Sequence, residues 1–227
     1  MNPPKTTRRT FLYLTGGVLG ACICSCAGLS VFPGSEPVST SSLPVGFPEF
    51  TLGDRAAKKV LVAYASVTGS TGGAAEIVAR TLAGQGAAVE VHPLQNVASL
   101  AGFDAVVLGS AIRGSKWLPE ASTFLQANRE QLSKVPTAFF TVCLTMAYKS
   151  GAAQAKVSEW LASERALLPP VAEGYFAGSL FLDRVPLLMR APFRVGLVAM
   201  GLPWNGGDFR SPTAIRAWAA SLPSLLN

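Results

Sequence analysis

The chain has 227 residues, 49% of them hydrophobic and 14% charged, with 22 Gly, 16 Pro, 4 Cys and a formal net charge of +6. These proportions exclude a disordered chain, a collagen and a disulfide scaffold, and the length allows one domain of about 150–200 residues with an appendage. Without Lys5, Arg8 and Arg9 the basic excess falls to +3 (16 basic against 13 acidic residues), too small to argue for nucleic acid as a partner. The mean hydropathy of +0.36 is high for such a domain, and much of the excess sits at the N-terminus.

The run from Phe11 to Phe32 contains no charge, follows Lys5, Arg8 and Arg9, and precedes Pro33-Gly34-Ser35. Residues 1–32 therefore read as an export signal or membrane anchor. Thr7-Arg8-Arg9-Thr10-Phe11-Leu12, with Gly16-Gly17-Val18-Leu19-Gly20 behind it, resembles a twin-arginine export signal, and Leu19-Gly20-Ala21-Cys22 is similar to a lipoprotein processing box. The resemblance implies export and tethering at the outer face of the cytoplasmic membrane by a cleaved, lipidated or retained N-terminus. Cys22, Cys24 and Cys26 fall in this run as small apolar residues, without the polar, closed ligand set that a metal site needs. Cys143 is the one cysteine of the body, so no disulfide can form within it. Residues 33–57, with Pro33, Pro37, Pro44, Pro48 and the serines between them, read as a tether with little reason to fold.

From Lys58 onward, short apolar and β-branched runs alternate with helical patterns, which predicts a parallel sheet covered by helices. Strands are expected at Val60–Ala65, Ala88–His92, Ala105–Gly109, Thr137–Val142 and Val171–Ser179. Helices are expected to begin near Thr71, Pro119 and Ala152, with a last one over Pro212–Leu222. The expected domain is residues 58–227, a doubly wound five-stranded α/β fold with a long insertion at about 181–209. In such sheets ligands sit beyond the carboxyl ends of the strands, where the strand order reverses.

Three loops then become candidates for binding. The first, Ser66, Val67, Thr68, Gly69, Ser70 and Thr71, stands directly before a helix and is rich in hydroxyls. Such donors, with the N–H groups of a helix start, suit a phosphate held without a cation. Neither the Gly-Lys-Ser/Thr of a triphosphatase nor the Gly-x-Gly-x-x-Gly of a dinucleotide fold is present, so a monophosphate ester remains. The second loop contains Ser110, Ala111, Ile112, Arg113 and Gly114, with Trp117 shortly after, and the third contains Cys143, Leu144 and Tyr148. Trp117 and Tyr148 read either as partners for a flat ring or as aromatics packed over a helix end. Gly109 and Gly114 would let backbone approach a ring closely. His92 reads as a strand-end residue and Cys143 as a small core residue, and no nucleophile with a histidine partner can be assembled. No catalytic side chain and no metal ligand is assigned.

Ser66-Val67-Thr68-Gly69-Ser70-Thr71 after an apolar strand resembles the phosphate loop of flavodoxins, which bind FMN. The body from about Lys58 to Leu222 is similar to the flavodoxin-like, menaquinone-dependent protoporphyrinogen dehydrogenases of bacteria. The similarity lies in Val107-Leu108-Gly109-Ser110-Ala111-Ile112-Arg113-Gly114, in Pro136-Thr137-Ala138-Phe139-Phe140-Thr141-Val142, and in Ala177-Gly178-Ser179-Leu180 before the insertion. It implies FMN as cofactor, a porphyrinogen or other large reduced substrate, a quinone acceptor, and an insertion near the membrane. Apolar residues from Val185 to Val195 interleave with Arg184, Arg190 and Arg194, which suits a membrane surface or a groove for a large acidic ligand. Pro186 and Pro192 argue against one straight helix there. Arg113, Lys116 and Lys149 fall in or beside the expected ring loops, where a cation raises the flavin potential and favours a two-electron acceptor over a low-potential shuttle. The competing expectations are an exported, tethered electron-transfer module with a protein partner, and a cofactor-free binding domain, which the intact phosphate loop opposes.

Overall fold

Strand β2 (Lys59–Ala65) of the computed structural model, which describes residues 46–54, 57–148 and 151–222, reads Lys-Val-Leu-Val-Ala-Tyr-Ala and is buried at every position after Lys59. A strand can be apolar on both faces only where layers cover both, and successive side chains alternate between them. Val60, Val62 and Tyr64 enter one core, with Ile77, Val78 and Leu82 of helix α1 (Ser70–Gly84) and Ile215 and Ala219 of helix α7 (Pro212–Ala220). Leu61, Ala63 and Ala65 enter the other, with Leu125 of α2 (Pro119–Ala127), Leu132 of α3 (Arg129–Leu132) and Val157 of α4 (Gly151–Trp160). The expected export segment, the tether up to residue 45 and Lys149 lie outside the described residues.

The other strands of the main sheet are β1 (Phe50–Leu52), β3 (Ala88–Pro93), β4 (Ala105–Arg113), β6 (Thr137–Cys143) and β7 (Glu173–Ala177). Their order is β1-β3-β2-β4-β6-β7, parallel throughout except for β1, and β5 (Lys116–Trp117) folds back antiparallel on the end of β4. Counting the parallel strands in chain order gives 2-1-3-4-5, so the order reverses between β2 and β4. The expected doubly wound α/β fold is present.

Three departures have local causes. The tether reaches the domain earlier than its composition implies: Phe50–Leu52 adds to the edge of β3, with Phe50 opposite Val91 and the Arg80 guanidinium 5.4 Å from the Phe50 ring. The expected fifth strand divides at Gly178. The Gly178 N–H donates to the Cys143 carbonyl at 3.1 Å, whereas its own carbonyl accepts from Phe209 N–H at 3.1 Å. Beyond it, β8 (Ser179–Phe181) leaves the main sheet and pairs with β9 (Gly206–Asp208).

The third departure lies in Leu182–Gly206, which belongs to a compact unit of its own. There one helix, α6 (Leu187–Ala199), contains Pro192 in its interior, although the two prolines argue against a single straight helix. Pro186 precedes the first turn and costs no bond, whereas Pro192 forfeits the N–H that would reach the Leu188 carbonyl and sets its ring against that carbonyl. Leu187, Leu188, Val195 and Val198 of this helix are exposed, Leu188 by 91%. Among the described residues no helix is long and apolar enough to cross a membrane.

Candidate flavin site

β2, β4 and β6 are neighbours, with Ala65 opposite Ser110 and Ser110 opposite Thr141. Adjacent strands lie about 4.8 Å apart, so the loops that follow them leave the sheet side by side at the switch point.

The loop after β2 is closed by its own groups. Ser66 Oγ accepts from Gly69 N–H at 3.0 Å, and Gly69 turns the chain at φ +85°, a conformation that favours glycine. Gly69 is the N-cap of α1 and brings no capping side chain, and the first turn contains no acid. The first N–H groups of an α-helix have no partner within the helix and carry partial positive charge, which favours an anion. Thr71 is fully buried, and its hydroxyl has no hydrogen-bond partner. A buried hydroxyl left in that state costs about 1–3 kcal/mol unless a ligand oxygen completes it. Ser66, Thr68, Ser70 and Thr71 thus form a neutral donor set around a helix start, and it fits the phosphate end of a mononucleotide.

The second loop is a tight hairpin. Gly114 and Ser115 have φ of +61° and +60°, the two successive left-handed residues of a two-residue turn, and Arg113 faces Lys116 across it. Both cations are exposed, whereas Ala111 and Ile112 are half-buried. The Ser110 hydroxyl is occupied within the fold, donating to the Ala111 carbonyl at 2.8 Å and accepting from Leu118 N–H at 3.1 Å. Trp117 takes the packing role and not the stacking one. It is 2% exposed, its indole N–H donates to Thr141 Oγ1 at 2.9 Å, and its ring lies 4.9 Å from that of Phe139. Gly109 likewise makes room for protein, since a Cβ there would come within 2.0 Å of the Phe140 ring.

The third loop is a 3-10 turn, Leu144–Ala147, that leaves Leu144 and Met146 half-buried. Tyr148 behind it is 6% exposed, and burial raises its phenol above the ordinary value. Burial also pushes the Cys143 thiol up to about 11, so it is a neutral core group at physiological pH. His92 is the last residue but one of β3, with Nδ1 2.8 Å from Glu49 Oε1 and Nε2 3.4 Å from Glu90 Oε2. Asn96 Nδ2 donates to the other Glu49 oxygen at 2.8 Å, and these two bonds hold the Glu49 carboxyl below its usual value.

Sequence reasoning missed two contributors to the phosphate loop. The segment entering β1 lies against it: Gly46 N–H donates to the Gly69 carbonyl at 3.3 Å, and a Cβ on Gly72 would come within 2.2 Å of the Gly46 oxygen. Behind α1, Arg210 is fully buried and paired with Asp208, and its Nη1 donates to the Ser70 carbonyl at 3.3 Å. The spacing Asp208-Phe209-Arg210 places the first and third side chains on one face of an extended segment, a signal present in the sequence without any indication of its target.

A doubly wound sheet of order 2-1-3-4-5 with a hydroxyl-rich loop at the switch point defines a flavodoxin-like protein. A family model described as a flavodoxin domain matches residues 61–195, and the chain belongs to that family. FMN is the cofactor of that fold, and the loop after β2 fits its phosphate. A search of curated proteins returned no match. Among solved structures the chain is similar to a flavodoxin from the domain Archaea, 20% identical over 63% of this chain and 96% of that one, with a TM-score of 0.37. It is also similar to oxidised Flavodoxin 1 from Bacillus cereus, 20% identical over 63% and 98%, with a TM-score of 0.39. A third similarity is to rubredoxin oxygen:oxidoreductase from Desulfovibrio gigas, 18% identical over 74% of this chain and 37% of that one, with a TM-score of 0.38.

Proposed function

We propose that the protein is a membrane-associated, FMN-dependent oxidoreductase that takes reducing equivalents from a porphyrinogen or a similarly large reduced substrate and delivers them to a quinone. The observation that carries this reading is the charge of the ring loops. Arg113 and Lys116 are exposed on the hairpin after β4, and neither residues 110–119 nor Leu144–Tyr148 contain an acid. When bound, FMN supplies the capacity to accept two reducing equivalents and release them again. The chain holds the cofactor: Ser66, Thr68, Ser70 and Thr71 bind its phosphate, while Val67, Ala111, Ile112, Gly114 and Leu144 border its ring and limit water. Arg113 favours the negative charge that reduction adds, which suits a two-electron acceptor.

The substrate class rests on the resemblance carried by Val107–Gly114, Pro136–Val142 and Ala177–Leu180. The membrane reading is supported by α6, whose exposed leucines and valines accompany Arg190 and Arg194. Arg190 donates to the Val185 and Asp183 carbonyls at 2.9 and 2.8 Å, and the Arg194 guanidinium lies 5.2 Å from the Trp204 ring. An apolar helical face with basic residues and an exposed aromatic suits the headgroup boundary of a bilayer. The N-terminal resemblance to a twin-arginine signal favours a second reading, an exported and tethered electron carrier with a protein partner, because haem precursors are usually oxidised on the cytoplasmic side.

Anaerobic mixing of the FMN-loaded full chain with protoporphyrinogen, followed by a menaquinone analogue, separates the two. The dehydrogenase predicts rapid bleaching of the flavin and quinone-dependent reoxidation. A flavin that binds but stays oxidised with porphyrinogen contradicts it and leaves the carrier.

A further inference from the structure

We infer that the buried Asp208–Arg210 pair is a positioning device for the phosphate loop and a determinant of the preference for a phosphorylated flavin. The inference rests on the assignment of FMN to the loop after β2.

The pair has a fixed geometry. Asp208 Oδ1 accepts from Arg210 Nε at 2.8 Å and from Arg210 N–H at 3.1 Å, and Asp208 Oδ2 accepts from Nη2 at 2.6 Å. This two-armed grip leaves the guanidinium plane no freedom, and Nη1 is the arm that reaches the Ser70 carbonyl at 3.3 Å. Arg210 is 0% and Asp208 1% exposed. Both ends of the short segment are anchored as well: Phe209 N–H donates to the Gly178 carbonyl at 3.1 Å, and Ser211 Oγ caps α7 by accepting from Ala214 N–H at 3.3 Å.

Ser70 is the first residue of α1. Across a trans peptide the carbonyl and the following N–H point in opposite directions. A donor that holds the Ser70 carbonyl therefore helps to fix the peptide whose N–H, that of Thr71, is directed toward the N-terminal end of α1 and the loop Ser66–Gly69. The Thr71 hydroxyl, buried and without a partner, belongs to the same residue. One guanidinium thus orients the residue that presents both an N–H and an orphaned hydroxyl to the phosphate position.

A buried ion pair is a weak source of stability, because the cost of desolvation offsets most of the attraction. Asp208 also neutralises the charge of Arg210, so the pair acts on a phosphate through placement more than through attraction. These two modes predict opposite outcomes for Asp208→Asn. Placement predicts weaker phosphate binding, since the fork loses its grip; attraction predicts tighter binding, since a cation is uncovered.

The test is the ratio of FMN to riboflavin affinity, measured by fluorescence titration of the flavin-free full chain, since riboflavin lacks only the phosphate. Arg210→Gln and Asp208→Asn are each expected to lower that ratio roughly tenfold or more, the weight of one hydrogen bond to a charged group, with riboflavin affinity little changed. Should Arg210→Gln not fold, Arg210→Lys, which keeps the charge and loses the fork, carries the same expectation. An unchanged ratio in folded variants, or a ratio that rises in Asp208→Asn, overturns the inference while leaving the FMN assignment intact. A wild-type chain that binds neither flavin overturns both.

Discussion

The loops at the ends of β2, β4 and β6 and the unit Leu182–Gly206 use their large apolar residues in different ways. At and beneath the loops the aromatic groups turn inward: Trp117, Phe140 and Tyr148 are 2%, 0% and 6% exposed, and the surface is left to Arg113, Lys116, Thr68, half-buried aliphatics and one exposed aliphatic, Val67. In Leu182–Gly206 the large apolar groups divide: Leu182, Leu197, Met200 and Leu202 are buried, whereas Leu187, Val195 and Trp204 are 76%, 63% and 54% exposed. A pocket for a small cofactor needs its first layer held by packed residues behind it, whereas exposed apolar groups in number mark a surface that meets something large. The two regions therefore respond differently to substitution.

The largest expected effect is at the root of the loops. Phe140 is fully buried over Gly109 and lies within 6.4 and 6.2 Å of the rings of Phe176 and Trp218, centroid to centroid. Phe140→Ala should cost about 3–5 kcal/mol in denaturant unfolding. An unshifted midpoint would remove the packed support from the account.

In Leu182–Gly206 the expectation is inverted. Leu188→Asp together with Val195→Asp should change stability by no more than about 0.5 kcal/mol each, because neither side chain is buried. The pair should nevertheless abolish the blue shift of Trp204 fluorescence that anionic vesicles are expected to produce in the wild-type chain. A shift that survives the double substitution would argue against a membrane-facing helix.

The smallest expected effect is electrostatic. Replacing the exposed cation in Arg113→Gln should lower the two-electron midpoint potential of the flavin by roughly 5–20 mV, the scale of one solvent-screened charge. A potential that does not move would take Arg113 out of the redox argument.

The uneven legibility of the fold follows from how each element is stabilised. β2, β4 and β6 are buried on both faces over most of their length, so Val60–Ala65 or Thr137–Val142 could be recognised without knowing any neighbour. β1 and β5 have three and two residues and exist because an edge or a strand end was there to receive them. Helix α6 was obscured by Pro192, whose cost depends on its place in the helix and not on its presence. At the site, Ser66–Thr71 was visible because all its donors are contiguous. For Trp117 and Gly109 the sequence leaves both the ring and the core open, because it does not disclose that Thr141 and Phe140 lie behind them. Arg210 meets Ser70 across 140 positions of chain, and only the sheet order brings them together.

The most direct test of the central claim is FMN affinity in the double variant Thr68→Val, Thr71→Val, with riboflavin as the companion ligand. If the hydroxyls of this loop hold the phosphate, FMN binding weakens by about tenfold or more while riboflavin binding persists. Equal FMN affinity in the variant and the wild-type chain would contradict the site.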